Sequence, residues 1–305
     1  MIVILDSVGR WQDWVGTTMT GGDNSWLSMD PARAGRGTVL ARAGRRVHVG
    51  LRLADLVRGR PPGLTGHQWN TASRSLLDLV VCPEETGRPE FAVEFRSPAP
   101  DASARRAERV VAAVTAAVGL PVLRIVSATL RAAEHGPAIV SYVIDARRYA
   151  EGAAGSDVAA IGFRDIVGRL PDGRTGAVND LGALARAEAV EAYVARRLAD
   201  PILRGLHVSW VNGPAEGWSW VDVRPGECLV ERVSVQADRL TFGVDPARFA
   251  EDLAAFAIGD RIRSSDLGGA SALVRREELL DAVRQLRQRR DELVDDFAYD
   301  HLCEA

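Results

Sequence analysis

Two carboxylates occupy positions in apolar, strand-like segments where an apolar side chain would be expected. Asp78 lies in the segment 76–82 and Glu94 lies in the segment 91–96. Side chains two residues apart share a face of a strand, so both carboxylates have apolar neighbours on their own face. Such a carboxylate is costly to desolvate unless it is paired, hydrogen-bonded or bound to a cation. Two of them on successive strands, with Arg96 two residues after the second, predict a functional site.

The chemistry of these three residues has two interpretations. In the first, Asp78 and Glu94 are ligands of Mg²⁺, which would lower the pKa of a bound water and offset charge on a scissile phosphate. Arg96 would then hold phosphate or transition-state charge, because a guanidinium stays protonated and cannot replace a proton-transferring lysine. In the second, Asp78, Glu94 and Arg96 form an ion-pair cluster that needs no metal.

The elements around this pair predict a definite topology. A short polar connection at 83–88 joins two strands as a hairpin, and Gly87 provides its flexible point. Asp101 opens a segment, 102–118, with an apolar helical face, and Gly119 closes it before another strand. A strand, a helix and a strand form a parallel, right-handed unit. The sequence therefore predicts a mixed sheet with the hairpin in its centre and this helix on one face.

Four arginines near the pair are candidates for contact with nucleic-acid phosphates: Arg74, Arg105, Arg106 and Arg109. The alternative is that they only keep a helix surface soluble. The chain has a formal net charge of −3, so a nucleic-acid surface would have to be a local arginine patch. All 38 basic residues are arginine.

The predicted elements follow one another in the order found in the core of PD-(D/E)xK nucleases. They are a strand with Asp, a hairpin connection, a strand with Glu-x-basic, a helix and a strand. More narrowly, residues 39–126 resemble the bacterial domain of unknown function 2726 family. The segments that carry the resemblance are 47–56, 77–82, 92–95 and 119–125. The resemblance implies a restriction-endonuclease-like fold with catalytic residues Asp78, Glu94 and Arg96, and with Asp78 and Glu94 as ligands of Mg²⁺.

The chain departs from the family pattern at several positions. It contains no lysine, so only Arg96 can take the third catalytic position, and no glutamate occurs before Glu84. The residues at 97–100 replace an acidic, histidine-containing stretch. Two functions therefore stand side by side. One is a metal-dependent phosphodiesterase that acts on DNA or RNA, and the other is a catalytically silent nuclease-like scaffold that binds nucleic acid or protein.

The rest of the chain predicts two domains of mixed α/β (α+β) class. Residues 1–156 form the nuclease-like domain with its core at about 39–145, where a strand at 138–145 extends the sheet. Residues 157–305 form an α+β domain of unassigned role. Its predicted elements are a helix at 183–204, strands at 207–211, 218–223 and 228–235 with a hairpin partner at 239–244, and a helix that starts at Asp245-Pro246.

The last predicted element is a long helix at about 272–300. Its apolar positions follow coiled-coil spacing, with Arg290 as the interruption; they are Leu279, Val283, Leu286, Leu293 and Phe297. A short seam that contains a charge favours packing on the helix's own domain. Oligomerisation through this helix is the alternative.

The composition of the chain excludes several other classes of protein. Three cysteines without a CxxC pair argue against a disulfide scaffold or a structural zinc site. No apolar stretch approaches the length of a membrane span, and the first residues do not form a signal peptide. The sequence therefore predicts a cytoplasmic protein without a membrane partner.

Overall fold

A nine-stranded mixed sheet connects both halves of the chain. The computed structural model describes residues 26–29, 37–153, 163–170, 173–264 and 273–294. The strands are β1 (Thr38–Arg42), β2 (Arg45–Arg52), β3 (Leu76–Pro83), β4 (Phe91–Arg96), β5 (Val122–Ser127), β6 (Val167–Arg169), β7 (Thr175–Ala177), β8 (Arg204–Ser209), β9 (Ala215–Arg224), β10 (Glu227–Asp238) and β11 (Leu273–Arg275). The helices are α1 (Leu53–Leu56), α2 (Gly66–Ser73), α3 (Ala102–Ala117), α4 (Ala132–Ala153), α5 (Ala183–Val194), α6 (Pro246–Arg263) and α7 (Arg276–Gln288).

The order of the strands in the sheet is β1-β2-β3-β4-β5-β10-β9-β8, and β11 pairs with β10 beside this path. The pairing of β4 with β5 is parallel, and the other pairings in this sheet are antiparallel. Strands β6 and β7 form a separate two-stranded sheet. The predicted mixed α/β class is confirmed.

The two predicted domains share this sheet. Strand β10 pairs with β5 from Val233↔Ser127 to Asp238↔Val122, so the later strands continue the sheet that the earlier strands begin. The predicted boundary after residue 156 lies within 154–162, outside the described residues. The division into two domains stays a prediction.

The hairpin–helix–strand unit forms as the sequence predicts. Strands β3 and β4 are adjacent and antiparallel, and β4 is parallel to β5 across α3. Asp101 caps α3 by accepting a hydrogen bond from the backbone N–H of Ala104 at 2.7 Å. Gly119 follows the helix with a φ of 72°, a left-handed conformation that glycine adopts readily.

Helices cover both faces of the sheet. On one face, Phe91 and Val93 of β4 belong to a core that also contains Val140 of α4 and Phe249 of α6. On the other face, α3 packs over the β2–β5 half. The residues of that contact include Val80, Ala92, Val111, Val114 and Val122. Helix α7 covers the β8–β10 half of the same face.

The predicted strand at 138–145 is wrong, because these residues lie inside helix α4. Pro137 lies in the second turn of α4, where it removes a backbone hydrogen bond and its ring crowds the carbonyl of Ala133, so the packing of the helix on the sheet must outweigh this cost. Gly136 faces the sheet so closely that an added Cβ would lie 2.5 Å from Cδ1 of Leu79. The strand that extends the sheet beyond β5 is therefore β10.

The second half also differs from the prediction in its element ends. Helix α5 ends at Val194, and β8 begins at Arg204 within the segment predicted as helix. The predicted hairpin partner at 239–244 is not a strand, whereas β9, β10 and the Asp245-capped start of α6 are confirmed.

The C-terminal helix is shorter than predicted. Residues 273–275 form strand β11, and α7 ends at Gln288. Leu279, Val283 and Leu286 are buried against β8, β9 and β10, so these seam positions pack within the chain. Phe297 lies outside the described residues, and oligomerisation through this helix stays a prediction. No helix in the described ranges combines the length and the apolar character needed to cross a membrane.

Candidate functional site

Asp78 and Glu94 lie next to each other where the pairing of β3 with β4 ends. The final pair of this ladder is Leu79↔Val93, and one further step along both strands brings Asp78 opposite Glu94. Directly opposed residues point to the same face, with Cβ atoms about 5 Å apart. The structure therefore brings the two predicted carboxylates together on the sheet face that α3 covers.

Asp78 is half-buried and bonded to the backbone. Its Oδ2 accepts a hydrogen bond from the backbone N–H of Phe95 at 2.7 Å. Burial raises the pKa of Asp78, the hydrogen bond from Phe95 lowers it, the charge of Glu94 raises it, and Arg96 lowers it; the net pKa is raised. No arginine in the described part of the chain forms an ion pair with Asp78. The expectation that Arg96 joins both carboxylates is therefore wrong for Asp78.

Glu94 is held by two arginines. Its side chain is buried, with the residue 7% exposed. Arg96 Nη2 donates to Glu94 Oε2 at 2.7 Å, and Arg124 Nε donates to the same oxygen at 3.0 Å. Hydrogen bonds between ionised partners are stronger than neutral ones, so they fix this side chain firmly.

Arg124 is the main residue that the sequence analysis missed. It lies beside Glu94 in the parallel register of β4 and β5 and is 4% exposed. Its Nη1 forms an ion pair with Asp238 of β10. The signal was present, because Arg124 interrupts the apolar run 122–126 as Asp78 and Glu94 interrupt theirs.

Arg96 connects the sheet to α3. Besides Glu94, its guanidinium contacts Glu108, with Nη1 and Oε2 3.4 Å apart. We call the whole group the carboxylate–arginine cluster. Its members are Asp78, Glu94, Arg96, Glu108, Arg124 and Asp238.

The cluster carries more negative than positive charge. Four carboxylates face two arginines, which is a formal charge of −2 when all of them are ionised. Glu108 and Asp238 reach solvent, with side chains 28% and 38% exposed, so water screens part of this excess. A proton on Asp78, or a cation beside it, would balance the remainder.

The fit of Mg²⁺ to this cluster is incomplete. Among the described residues, no group of three or more His, Cys, Asp or Glu side chains is placed to hold a metal ion. Mg²⁺ would rely on Asp78 and Glu94 with several waters, and two guanidinium groups already occupy Oε2 of Glu94. The geometry suits arginine at this carboxylate better than a metal ion.

One donor of the cluster has no acceptor. Arg124 Nη2 is buried and has no hydrogen-bond partner. Burial lowers the pKa of Arg124, while the charge of Glu94 raises it. A buried donor without an acceptor is unfavourable, so this atom is suited to an acceptor supplied by water or by a ligand.

The four arginines predicted to contact phosphate lie together in one layer. Arg105, Arg106 and Arg109 are exposed on α3, and Arg74 is exposed at the end of α2, which packs against α3. None of them has an ion-pair partner within the described residues. Arg105 lies one helical turn before Glu108, so this basic surface, which we call the α3 surface, borders the cluster.

The fold and the site define a mixed-sheet protein with a buried carboxylate–arginine cluster under a basic helix. Compared with protein-family models, with curated proteins and with solved structures, the chain has no significant match. The resemblance to PD-(D/E)xK nucleases stays a prediction from the sequence.

Proposed function

We propose that this protein binds a nucleic acid through the phosphates of its backbone, at the α3 surface, and that its nuclease-like site is catalytically silent. The observation that carries the proposal is the double engagement of Glu94. Both Arg96 and Arg124 donate to the one oxygen Oε2, so two guanidinium charges already compensate the carboxylate that a metal ion would use as a ligand. A cytoplasmic location, as the sequence predicts, belongs to the same proposal.

The charge distribution supports nucleic acid as the partner. Residues 37–127 contain 13 arginines and 8 carboxylates, a formal charge of +5, although the whole chain carries −3. Within this segment, Arg74, Arg105, Arg106 and Arg109 are exposed and unpaired in the described structure. Local basic surfaces of this kind attract phosphates and release counterions on binding.

The chemistry of the cluster supports a catalytically silent site over one that cleaves nucleic acid. The chain has no lysine, so a tunable amine cannot serve as the proton-transfer group. Arg96 is occupied by Glu94 and Glu108, and Arg124 is occupied by Glu94 and Asp238. The arginines thus pair with Glu94, Glu108 and Asp238, while Asp78 accepts the backbone N–H of Phe95.

Binding is tested with labelled single-stranded and double-stranded DNA and RNA, by fluorescence anisotropy across a series of salt concentrations. The variant Arg105→Glu with Arg109→Glu should bind more weakly, and its salt slope should fall by about 2, one for each phosphate that these arginines no longer bind. The matched control is Arg224→Glu with Arg284→Glu, two exposed arginines of the other half. Equal affinity of all three proteins, or no binding by the wild type, would refute the proposal.

A second candidate, Mg²⁺-dependent phosphodiester hydrolysis, rests on one specific observation. Asp78 lies opposite Glu94, and the excess negative charge of the cluster favours a cation. Asp78 and Glu94 would hold the ion, Arg96 would hold phosphate charge, and the ion would supply an activated water.

Metal dependence separates the two candidates. For the silent scaffold, Mg²⁺ and Mn²⁺ leave the melting temperature unchanged, and neither the wild type nor Arg96→Lys cleaves labelled DNA or RNA. For the enzyme, the metal raises the melting temperature of the wild type by mass action but not that of Glu94→Ala. Cleavage by the wild type would decide for the enzyme, whereas cleavage gained only by Arg96→Lys would show a metal site that Arg96 keeps silent in the wild type.

A further inference from the structure

A cavity of about 720 Å³ lies away from the carboxylate–arginine cluster, between the β8–β9 connection, strands β9 and β10, and helix α7. Its volume is within the range of small-molecule sites. Both apolar aromatic surfaces and polar groups line it. The lining residues that matter are Trp210, Glu216, Trp218, Arg232, Asp291 and Arg289.

The two indole N–H groups of the lining differ in their partners. Trp210 Nε1 donates to Glu216 Oε2 at 3.1 Å. Trp218 is 4% exposed, and its Nε1 is buried without any hydrogen-bond partner. Native structures pair nearly all buried polar groups, so the unpaired N–H of Trp218 is a donor that an acceptor entering from the cavity would satisfy.

The two arginines of the lining differ in the same way. The guanidinium carbon of Arg289 lies 4.1 Å from the ring centre of Trp210, and its Nε and Nη2 donate to Glu292 at 2.9 and 2.7 Å. The guanidinium carbon of Arg232 lies 3.8 Å from the ring centre of Trp218. Arg232 has no ion-pair partner in the described ranges. The charge of Glu216 acts on Arg232 from beyond ion-pair distance, so the guanidinium has room to pair with an anion brought by a ligand.

We propose that this cavity binds a nucleotide unit. A base offers a flat ring for the outer plane of the Arg232 guanidinium, whose inner plane lies on Trp218, since bases stack on guanidinium planes. The phosphate would pair with the edge N–H groups of Arg232, and a ribose or phosphate oxygen beside the indole would take the in-plane N–H of Trp218. Glu216 and Asp291 supply acceptors for the amino groups of the base and the hydroxyls of ribose.

The unit is either a free nucleotide or part of a single strand. Arg232 and Gln236 are exposed two pleats apart on one face of β10, about 13 Å from each other. Gln236 is the register partner of Arg124, so the cavity and the carboxylate–arginine cluster lie on the same face of the sheet. A single strand bound at the α3 surface would reach the cavity across this face, and that form of the inference rests on the proposed function.

Calorimetric titration of the full chain with adenosine monophosphate, adenosine and inorganic phosphate tests the site. We expect the monophosphate to bind more tightly than either fragment. Arg232→Met should weaken its binding about tenfold or more, and Trp218→Phe, which keeps a ring but removes the N–H, should weaken it several-fold. Arg284→Met, an exposed arginine of α7 outside the cavity, serves as the control and should bind as the wild type does. Absence of monophosphate binding, or equal binding by Arg232→Met, would overturn the inference.

Labelled strands separate this inference from the proposed function. Arg105→Glu with Arg109→Glu should lower strand binding and leave monophosphate binding unchanged. If strands bind but the monophosphate does not, the cavity inference fails and the proposed function stands. If the monophosphate binds and strands do not, the proposed function fails and the free nucleotide is the occupant. If Arg232→Met also removes a preference for single strands over duplexes, the occupant is part of a strand.

Discussion

Arg124 donates its Nε–H to Oε2 of Glu94 at 3.0 Å from the position directly beside it in the parallel register of β4 and β5. The sequence predicts a metal ligand at Glu94, and the structure places a buried guanidinium against it. This contact joins the central strands electrostatically, and Asp238 extends it to β10.

Removal of Arg124 should be strongly destabilising. In Arg124→Ala, Glu94 loses one of its two donors, Asp238 loses its arginine, and a cavity forms inside the sheet. Breaking a buried ion pair by removing one partner costs about 3–5 kcal/mol, so we expect a loss of this order in the free energy of unfolding. Urea denaturation followed by circular dichroism measures it.

The matched comparison is Arg96→Ala. Its side chain is 17% exposed, and Glu94 keeps Arg124 in this variant, so a smaller loss of about 1–3 kcal/mol is expected. In the double variant Glu94→Gln with Arg124→Ala, part of the loss should be recovered, because the buried charge is gone. An Arg96→Ala variant less stable than Arg124→Ala would contradict the assigned order.

Asp78 should tolerate an amide better than a methyl group. Asp78→Asn keeps an oxygen that can accept the N–H of Phe95. It also removes a negative charge that burial disfavours, as the raised pKa of the Asp78 carboxyl indicates. We expect its stability to stay within about 1 kcal/mol of the wild type, whereas Asp78→Ala should lose about 1–3 kcal/mol by leaving that N–H unpaired. Thermal unfolding of both variants decides, and equal losses would show that the hydrogen bond contributes nothing.

A second buried carboxylate makes stability depend on pH. Asp252 is 2% exposed, its Oδ1 accepts from Arg164 Nη2 at 2.5 Å, and its Oδ2 has no partner. Burial raises the pKa of Asp252 to about 7, against the lowering effect of Arg164. The folded state therefore binds this proton more tightly than the unfolded state, whose carboxyl has a pKa of about 3.9. The stabilisation that this bound proton gives to the folded state is complete below about pH 4 and is lost as pH rises to about 7.

The measurement is the melting temperature of the wild type and Asp252→Asn between about pH 5 and pH 8. In the wild type, the contribution of Asp252 to stability should fall by about 1.4 kcal/mol for each pH unit up to about pH 7 and then level off. The amide cannot ionise, so its curve should lack this component. Parallel curves for the two proteins would show that Asp252 does not carry the pH dependence.

Gly217 permits the close packing of α6 on β9. An added Cβ would lie 2.0 Å from the backbone nitrogen of Glu251 and 2.1 Å from the carbonyl carbon of Ala250, and backbone cannot move aside as a side chain can. Gly217→Ala should therefore destabilise the protein by about 3 kcal/mol or more. Gly59→Ala is the control, since its Cβ meets nothing within 4 Å and should change stability by about 0.5 kcal/mol or less. A Gly217→Ala variant as stable as this control would contradict the packing.

Several elements follow from local sequence signals alone. Asp101 caps α3, Asp245 and Pro246 start α6, and the apolar runs around Asp78 and Glu94 predict two paired strands that each carry a carboxylate. Each of these signals acts over a few residues, through caps and strand alternation, so distant parts of the chain have little influence on it.

The errors arise where distant contacts outweigh local signals. Residues 138–145 are rich in β-branched residues and follow Gly136-Pro137, yet they form a helix because α4 packs on the sheet with Gly136 against Leu79. The apolar pattern of this segment suits a strand or a buried helix equally well, and only the element against which it packs decides its secondary structure.

The sequence by itself determined the hairpin, the strand–helix–strand unit and the position of two carboxylates inside apolar strands, because alternation and caps are local. The tertiary structure alone decided what those carboxylates meet. Arg124 is 30 residues from Glu94 in sequence, and Asp238 is 114 residues from Arg124. Pairing across such distances depends on which strands become neighbours, and that choice results from packing the whole sheet rather than from any single segment.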